Sequence, residues 1–181
     1  MRKLNGIMAF SAIVLFLVHG ILSSLLMMDI TSVFIKELPY IVAGIVGVHA
    51  LISIGYTIRT LCIAHRTHAP YFKENRLYWS RRISGLVILC LISFHMLAFT
   101  DNNGGVFRLI PFDLFRLIMQ LLFLCSVAVH LIANVKPMLI SFGTRKLRQK
   151  WGTVLFFVSA GLLVMTIGFI VYYVRWQLNL A

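Results

Sequence analysis

Four histidines, His19, His49, His95 and His130, each stand in a stretch otherwise built from leucine, isoleucine, valine and phenylalanine. An imidazole can carry a proton, bind a metal through one ring nitrogen, or hydrogen-bond a neighbour. Inside a hydrocarbon layer it is costly unless it does one of these, so its presence calls for a partner. A lone membrane histidine is as readily a packing residue as a ligand. Four of them, one on each of four successive apolar segments, point to a shared task. The other two of the six, His65 and His68, flank Arg66 in a polar connection and read as solvated or interface residues.

The elements that must position these rings are long apolar runs. Apolar residues make up 60% of the 181-residue chain and charged residues only 12%. That balance fits an integral membrane protein and leaves no room for a separate globular domain. Five runs, at about residues 6–28, 38–63, 83–99, 111–135 and 151–174, are long enough to cross a hydrocarbon core of ~30 Å at ~20 residues each. The expectation is one all-α transmembrane domain over residues 1–181 with five spans, the first four forming a bundle. Arg2 and Lys3 make a basic start like that of a signal peptide. The run behind them is too long and lacks a small-residue cleavage site, so it is expected to be retained. Pro111 suits a first helical turn. Cys62, Cys90 and Cys125 have no C-x-x-C or C-x-x-C-H spacing, which argues against a disulfide framework, a zinc site or covalently attached haem.

Charge follows the same layout. Of 17 Lys and Arg, thirteen fall at one side of the five runs: Arg2, Lys3, Arg59, Arg66, Lys73, Arg76, Arg81, Arg82, Lys136, Arg145, Lys146, Arg148 and Lys150. Lys36, Arg108, Arg116 and Arg175 fall at the other. The positive-inside rule then places the N-terminus in the cytoplasm and the C-terminus outside. The net charge of +12 is thereby mostly topology and does not imply a nucleic-acid partner. Asp29, Glu37, Asp101 and Asp113 lie on the outer side and Glu74 alone on the inner.

Depth sorts the histidines into pairs. At ~1.5 Å of rise per residue from the nearest inner basic residue, His19 lies ~24 Å deep, His95 ~20 Å, His49 ~15 Å and His130 ~9 Å. His19 pairs with His95 toward the outside and His49 with His130 toward the inside. On a helix of about 100° per residue, Ser23 shares the face of His19, Ser53 and Tyr56 that of His49, Ser84 that of His95, and Ser126 and Asn134 that of His130. Two pairs of imidazoles across a bundle suit b-type haem, whose iron takes one nitrogen on each porphyrin face from two facing helices. Haem propionates need donors or cations at the interface, for which Trp79, Ser80, Arg81, Arg82 and Lys136 are candidates.

Residues 75–85, Asn-Arg-Leu-Tyr-Trp-Ser-Arg-Arg-Ile-Ser-Gly, followed by His95, resemble the opening of the third helix in the membrane anchors of succinate dehydrogenases and fumarate reductases. The resemblance is to the single-chain, five-helix, two-haem class and covers nearly the whole chain. It implies two b haems, the first helix paired with the third and the second with the fourth. It also implies a cytoplasmic iron–sulfur subunit and an FAD-binding flavoprotein, docked on a basic face that includes Arg66, Lys73, Arg76 and residues 145–150. Electrons would pass between these subunits and membrane quinone, menaquinone before ubiquinone, in a bacterial cytoplasmic membrane, with a dimer of the whole complex allowed. Glu37 and Asp29 are the candidates for proton handling at an outer quinone site. Position 128 is alanine where some fumarate reductases carry a glutamate linked to proton movement.

Two other readings share the apolar spans. One is another dihaem quinone-linked cytochrome, although such folds tend to place more than one ligand histidine on a helix. The other is a haemless transporter or assembly protein whose histidines pack or bind ions. The topology is open to direct measurement. In a background with the three native cysteines replaced by serine, Thr67→Cys should react with a membrane-impermeant maleimide only from the cytoplasmic side. Lys36→Cys should react only from the outside.

Overall fold

The computed structural model describes residues 2–33, 35–67, 76–99, 111–142, 146 and 149–178. Five helices carry the chain: α1 Arg2–Met27, α2 Leu38–Thr67, α3 Arg76–Leu97, α4 Leu114–Ser141 and α5 Trp151–Gln177. All five are long and apolar enough to cross a membrane. At ~1.5 Å per residue they run from about 33 to 45 Å. Most therefore project beyond a ~30 Å hydrocarbon core.

That projection explains where helix ends depart from the apolar runs. α3 starts at Arg76, before the apolar stretch, and α2 and α4 continue to Thr67 and Ser141. Hydropathy marks the part of a helix that meets hydrocarbon; basic and aromatic turns beyond it stay helical because their long side chains reach water. Pro111 does not open α4. Asp113 caps it instead, its Oδ1 accepting from the Arg116 backbone N–H at 2.7 Å. Phe112, the residue before the cap, is 1% exposed and shares a cluster with Leu117. This is the hydrophobic staple that fixes a helix's entry angle. At the end of α1, Asp29 takes φ 62°, while Ile30 N–H donates to Leu25 O and Asp29 N–H to Leu26 O. These bonds make the left-handed termination usually given to glycine.

The helices form two close pairs, α1 with α2 and α3 with α4. α5 packs on α1 and α4 and so joins the pairs along one side. Small residues set its distance to α1. A Cβ on Gly161 would meet Leu17 Cδ2 at 2.7 Å, and one on Gly168 would meet Ser24 Cβ at 2.7 Å and Ser24 Cα at 3.0 Å. Close backbone approach is how helices associate where lipid removes the hydrophobic driving force. The fully buried side chains gather accordingly on α4 and α5, in one cluster around Phe112, Phe169 and Tyr172 and another around Val127, Val135 and Val158. α2 buries only Leu38 and Val42. Its other residues face outward or toward the space between the helix pairs.

Gly168→Val should force α1 and α5 apart and cost ~1–3 kcal/mol, the usual range for overpacking. Gly55→Val is the control, because a Cβ there meets nothing within 4 Å. Thermal unfolding in detergent should drop for the first variant and barely move for the second.

Candidate functional site

Between the two helix pairs lies a cavity of about 870 Å³ whose walls include His19, His49, His95 and His130. Small-molecule sites span ~300–1,000 Å³, which puts this one near the upper end. The lining is apolar through the middle, with Val46, Leu89, Ile92 and Phe123, and turns polar where Tyr56, Thr57, Thr60, Tyr78, Arg81 and Arg82 meet. Helices in contact cannot hold a flat group between them. The histidines therefore pair on diagonals, α1 with α3 and α2 with α4, across the open centre.

His19 and His95 face each other with ring centroids 6.3 Å apart and planes at 90°. A metal held between two imidazoles needs two bonds of ~2 Å plus ~1 Å from each ring centre to its nitrogen, about 6 Å in all. The observed separation fits one ion held between the two rings. His49 and His130 line the same cavity, close enough to interact electrostatically. Among the described residues no three or more of His, Cys, Asp and Glu gather where they could share a metal ion. His19 and His95 form a ring pair across the cavity, and His49 and His130 line it elsewhere.

The second ring nitrogens are held by neighbours. Gln120 Oε1 lies 2.7 Å from His95 Nδ1. Ser84 Oγ lies 3.0 Å from His130 Nδ1 and donates its own hydrogen to Arg81 O at 3.2 Å. The Ser84 hydroxyl thus stands between His130 Nδ1 and the Arg81 carbonyl and ties the ring to α3. Metal-bound histidines are oriented in this way by their outer partners. Ser23 Oγ is 3.5 Å from His19 Nδ1, at the limit of a bond. His49 Nδ1 is buried with no hydrogen-bond partner among the described residues. An orphaned polar atom of that kind is rare in folded proteins and marks a site with work to do.

Of the same-face polar residues, Ser23, Ser53, Tyr56 and Asn134 line the cavity. Ser84, on the His95 face of α3, serves His130 across the helix boundary. Ser126 Oγ donates to Leu122 O and Asn134 Nδ2 to His130 O. A hydroxyl or amide on a helix readily returns in this way to the carbonyl one turn back. Gln120 is the partner that face analysis misses. Its signal was present, since an amide in the middle of an apolar span needs a partner as much as a histidine does.

At the basic end, two arginines tie α3 to its neighbours. Pro137 sits inside α4 and has no N–H, which frees the carbonyl four residues back, Ala133 O. Arg81 Nε donates to it at 3.0 Å, so the helix defect becomes a docking point. Arg82 donates to Ser53 O on α2 at 3.2 Å and lies over the Tyr78 ring at 5.0 Å. Among the described residues no carboxylate pairs with either arginine; the two ion pairs present, Lys36–Glu37 and Arg175–Asp29, involve other residues. Two guanidinium groups at a cavity mouth with no counter-anion among the described residues fit an anionic ligand such as a haem propionate.

Trp79, Arg81 and Arg82 line the cavity. Ser80 is exposed, and Lys136 turns the other way, with Nζ 5.7 Å from the Trp151 ring centre. Asp29 pairs with Arg175 at 3.3 Å, and the same arginine donates to Met27 O at 3.1 Å. Glu37 stands beside Lys36 at 4.0 Å and is well exposed. Neither acid lines the cavity, though Met27, Pro39 and Tyr40 beside them do. Arg66 and Arg76 are exposed. Residues 68–75, 100–110, 143–145 and 147–148 lie outside the described residues, and with them His68, Lys73, Glu74, Asp101, Arg108, Arg145 and Arg148.

No family model, curated protein or solved structure matches the chain.

Ser84→Ala should leave His130 Nδ1 without its hydrogen-bond partner and cost ~1–3 kcal/mol, the usual penalty for a buried unsatisfied polar group. Ser84→Thr, which keeps the hydroxyl, should cost less. Melting temperatures of the three proteins in one detergent check this order.

Proposed function

We propose that this chain is the dihaem cytochrome b membrane anchor of a succinate:quinone oxidoreductase, acting as a succinate dehydrogenase or a fumarate reductase. His19 and His95 would hold the iron nearer the outside, and His49 and His130 the iron nearer the cytoplasm. The observation that carries the reading is the opposed His19–His95 pair, 6.3 Å between ring centres, inside a cavity that a second histidine pair also lines. The dicarboxylate chemistry rests on the resemblance carried by residues 75–85 and His95.

Bound haem supplies one-electron carriage at two depths. The chain's own residues do the rest. Ser84 and Gln120 would hold the Nδ1 sides of His130 and His95, leaving Nε2 of each ring to meet an iron. Arg81, Arg82 and Trp79 would meet the propionates at the cytoplasmic mouth, where the guanidinium groups are already fixed by backbone carbonyls. Quinone gains or loses two protons with its two electrons, so its site needs an acid or base with a path to water. Asp29 and Glu37 stand at the outer end beside cavity-lining Met27 and Pro39 and would serve there. Exposed Arg66 and Arg76 belong to the cytoplasmic face that would receive the iron–sulfur and flavoprotein subunits. The chain would lie in a bacterial cytoplasmic membrane with its N-terminus inside.

The purified protein should show a reduced b-type α band and about two haems per chain. His49→Ala or His130→Ala should remove one haem, and His19→Ala or His95→Ala the other, with protein still present in the membrane. A wild-type protein with no such band overturns the reading.

A further inference from the structure

We infer that Gln120 is a positioning residue that fixes the tautomer of His95 and sets how strongly that ring donates electrons to the iron it would hold. The inference rests on the haem reading above and adds a residue outside the ligand set. Gln120 is 0% exposed in the second turn of α4 and is the most deeply buried of three buried polar residues in the described structure, with Ser24 and Ser84. Its Oε1 lies 2.7 Å from His95 Nδ1. A carbonyl oxygen only accepts, so the proton sits on Nδ1 and the Nε2 lone pair is left bare.

The other half of the amide shows that this contact is more than filler. Gln120 Nε2 is buried with no hydrogen-bond partner among the described residues, an arrangement that ordinarily costs free energy in an apolar interior. A leucine would fill the same space without that cost. The amide is therefore kept for its oxygen. Two aromatic rings complete the setting: Phe123 stacks on His95 at 5.0 Å and 21°, and Phe99 stands at 5.5 Å and 61°. His95 is thereby held in position and plane, whereas His19 has only the 3.5 Å contact to Ser23. Within the pair, His95 is the fixed member and His19 the one that adapts.

An acceptor on the far ring nitrogen raises the basicity of a metal-bound imidazole. Stronger donation favours ferric over ferrous iron, and second-shell hydrogen bonding is one of the levers by which proteins tune haem. Gln120→Leu removes the acceptor at similar volume, and Gln120→Glu keeps an acceptor and strengthens it. The test is potentiometric titration of the α bands in membranes, with His19→Ala protein identifying the inner haem. In Gln120→Leu the outer haem's midpoint should move positive while the inner one stays. In Gln120→Glu it should return to the wild-type value or fall below it. A Leu variant that keeps both haems with both midpoints unmoved overturns the inference and leaves the haem reading standing. Loss of the outer haem from both variants, with the inner retained, also overturns it, because packing alone would then explain the amide. Wild-type protein without haem overturns the reading and the inference together.

Discussion

A polar group inside the bilayer has no water to fall back on, so each one must find its partner within the protein. That constraint organises this structure from one end to the other. Pro137 frees a carbonyl and Arg81 of the neighbouring helix takes it. His95 carries an N–H into the interior and Gln120 accepts it. Ser84 bonds both the Arg81 carbonyl and His130. Two of the three buried polar side chains in the described structure contact histidines. The third, Ser24, donates to Gly20 O at 2.7 Å and packs against Gly168. The helix contacts that matter most are thus the ones that settle a hydrogen-bond debt.

The same constraint separates the helices into tight and open contacts. α5 has no histidine and packs through glycines, bringing α1 close enough that a methyl group would clash at Gly168. This side of the bundle is rigid by sterics. The opposite side is held by a few long polar reaches, Arg82 to Ser53 O being the link from α3 to α2. A cavity persists between the pairs because α1–α2 and α3–α4 contacts leave the diagonals open. The imidazoles line that cavity, His19 and His95 edge to face across it.

Charge completes the arrangement by being absent where it would be expected. Arg81 and Arg82 rest on backbone carbonyls and lack a described carboxylate partner, while Asp29 and Glu37 are paired at the far end. A guanidinium bonded to carbonyls keeps its full charge and most of its pull on an anion. The basic end of the cavity consequently presents two guanidinium groups held by backbone carbonyls, and the acids Asp29 and Glu37 stand toward the far end. Arg175 has a structural task besides, since it binds both Asp29 and the last carbonyl of α1. That contact closes the C-terminus of α1 against α5 at a residue whose positive φ is unusual for an aspartate.

The sequence by itself determined the number of apolar spans, their order and the presence of one histidine on each of the first four, because hydropathy and residue spacing are properties of a single helix. Depth arithmetic set His19 beside His95 for the same reason, and the two rings lie 6.3 Å apart. Helix ends were less legible: α3 begins at Arg76 rather than at the apolar run, and Asp113 rather than Pro111 opens α4. Length of hydrocarbon contact and length of hydrogen-bonded helix are different quantities. Only the tertiary structure decided who holds whom. Helical periodicity placed Ser84 with His95, whereas it binds His130; position at the inner interface made Lys136 a propionate candidate, whereas it turns to Trp151. Gln120, Pro137 and the carbonyl of Ala133 acquire roles only once α3 and α4 are set side by side. A helix's own periodicity reports its polar face, and the rotation of its neighbour, which settles the partner, is decided by packing.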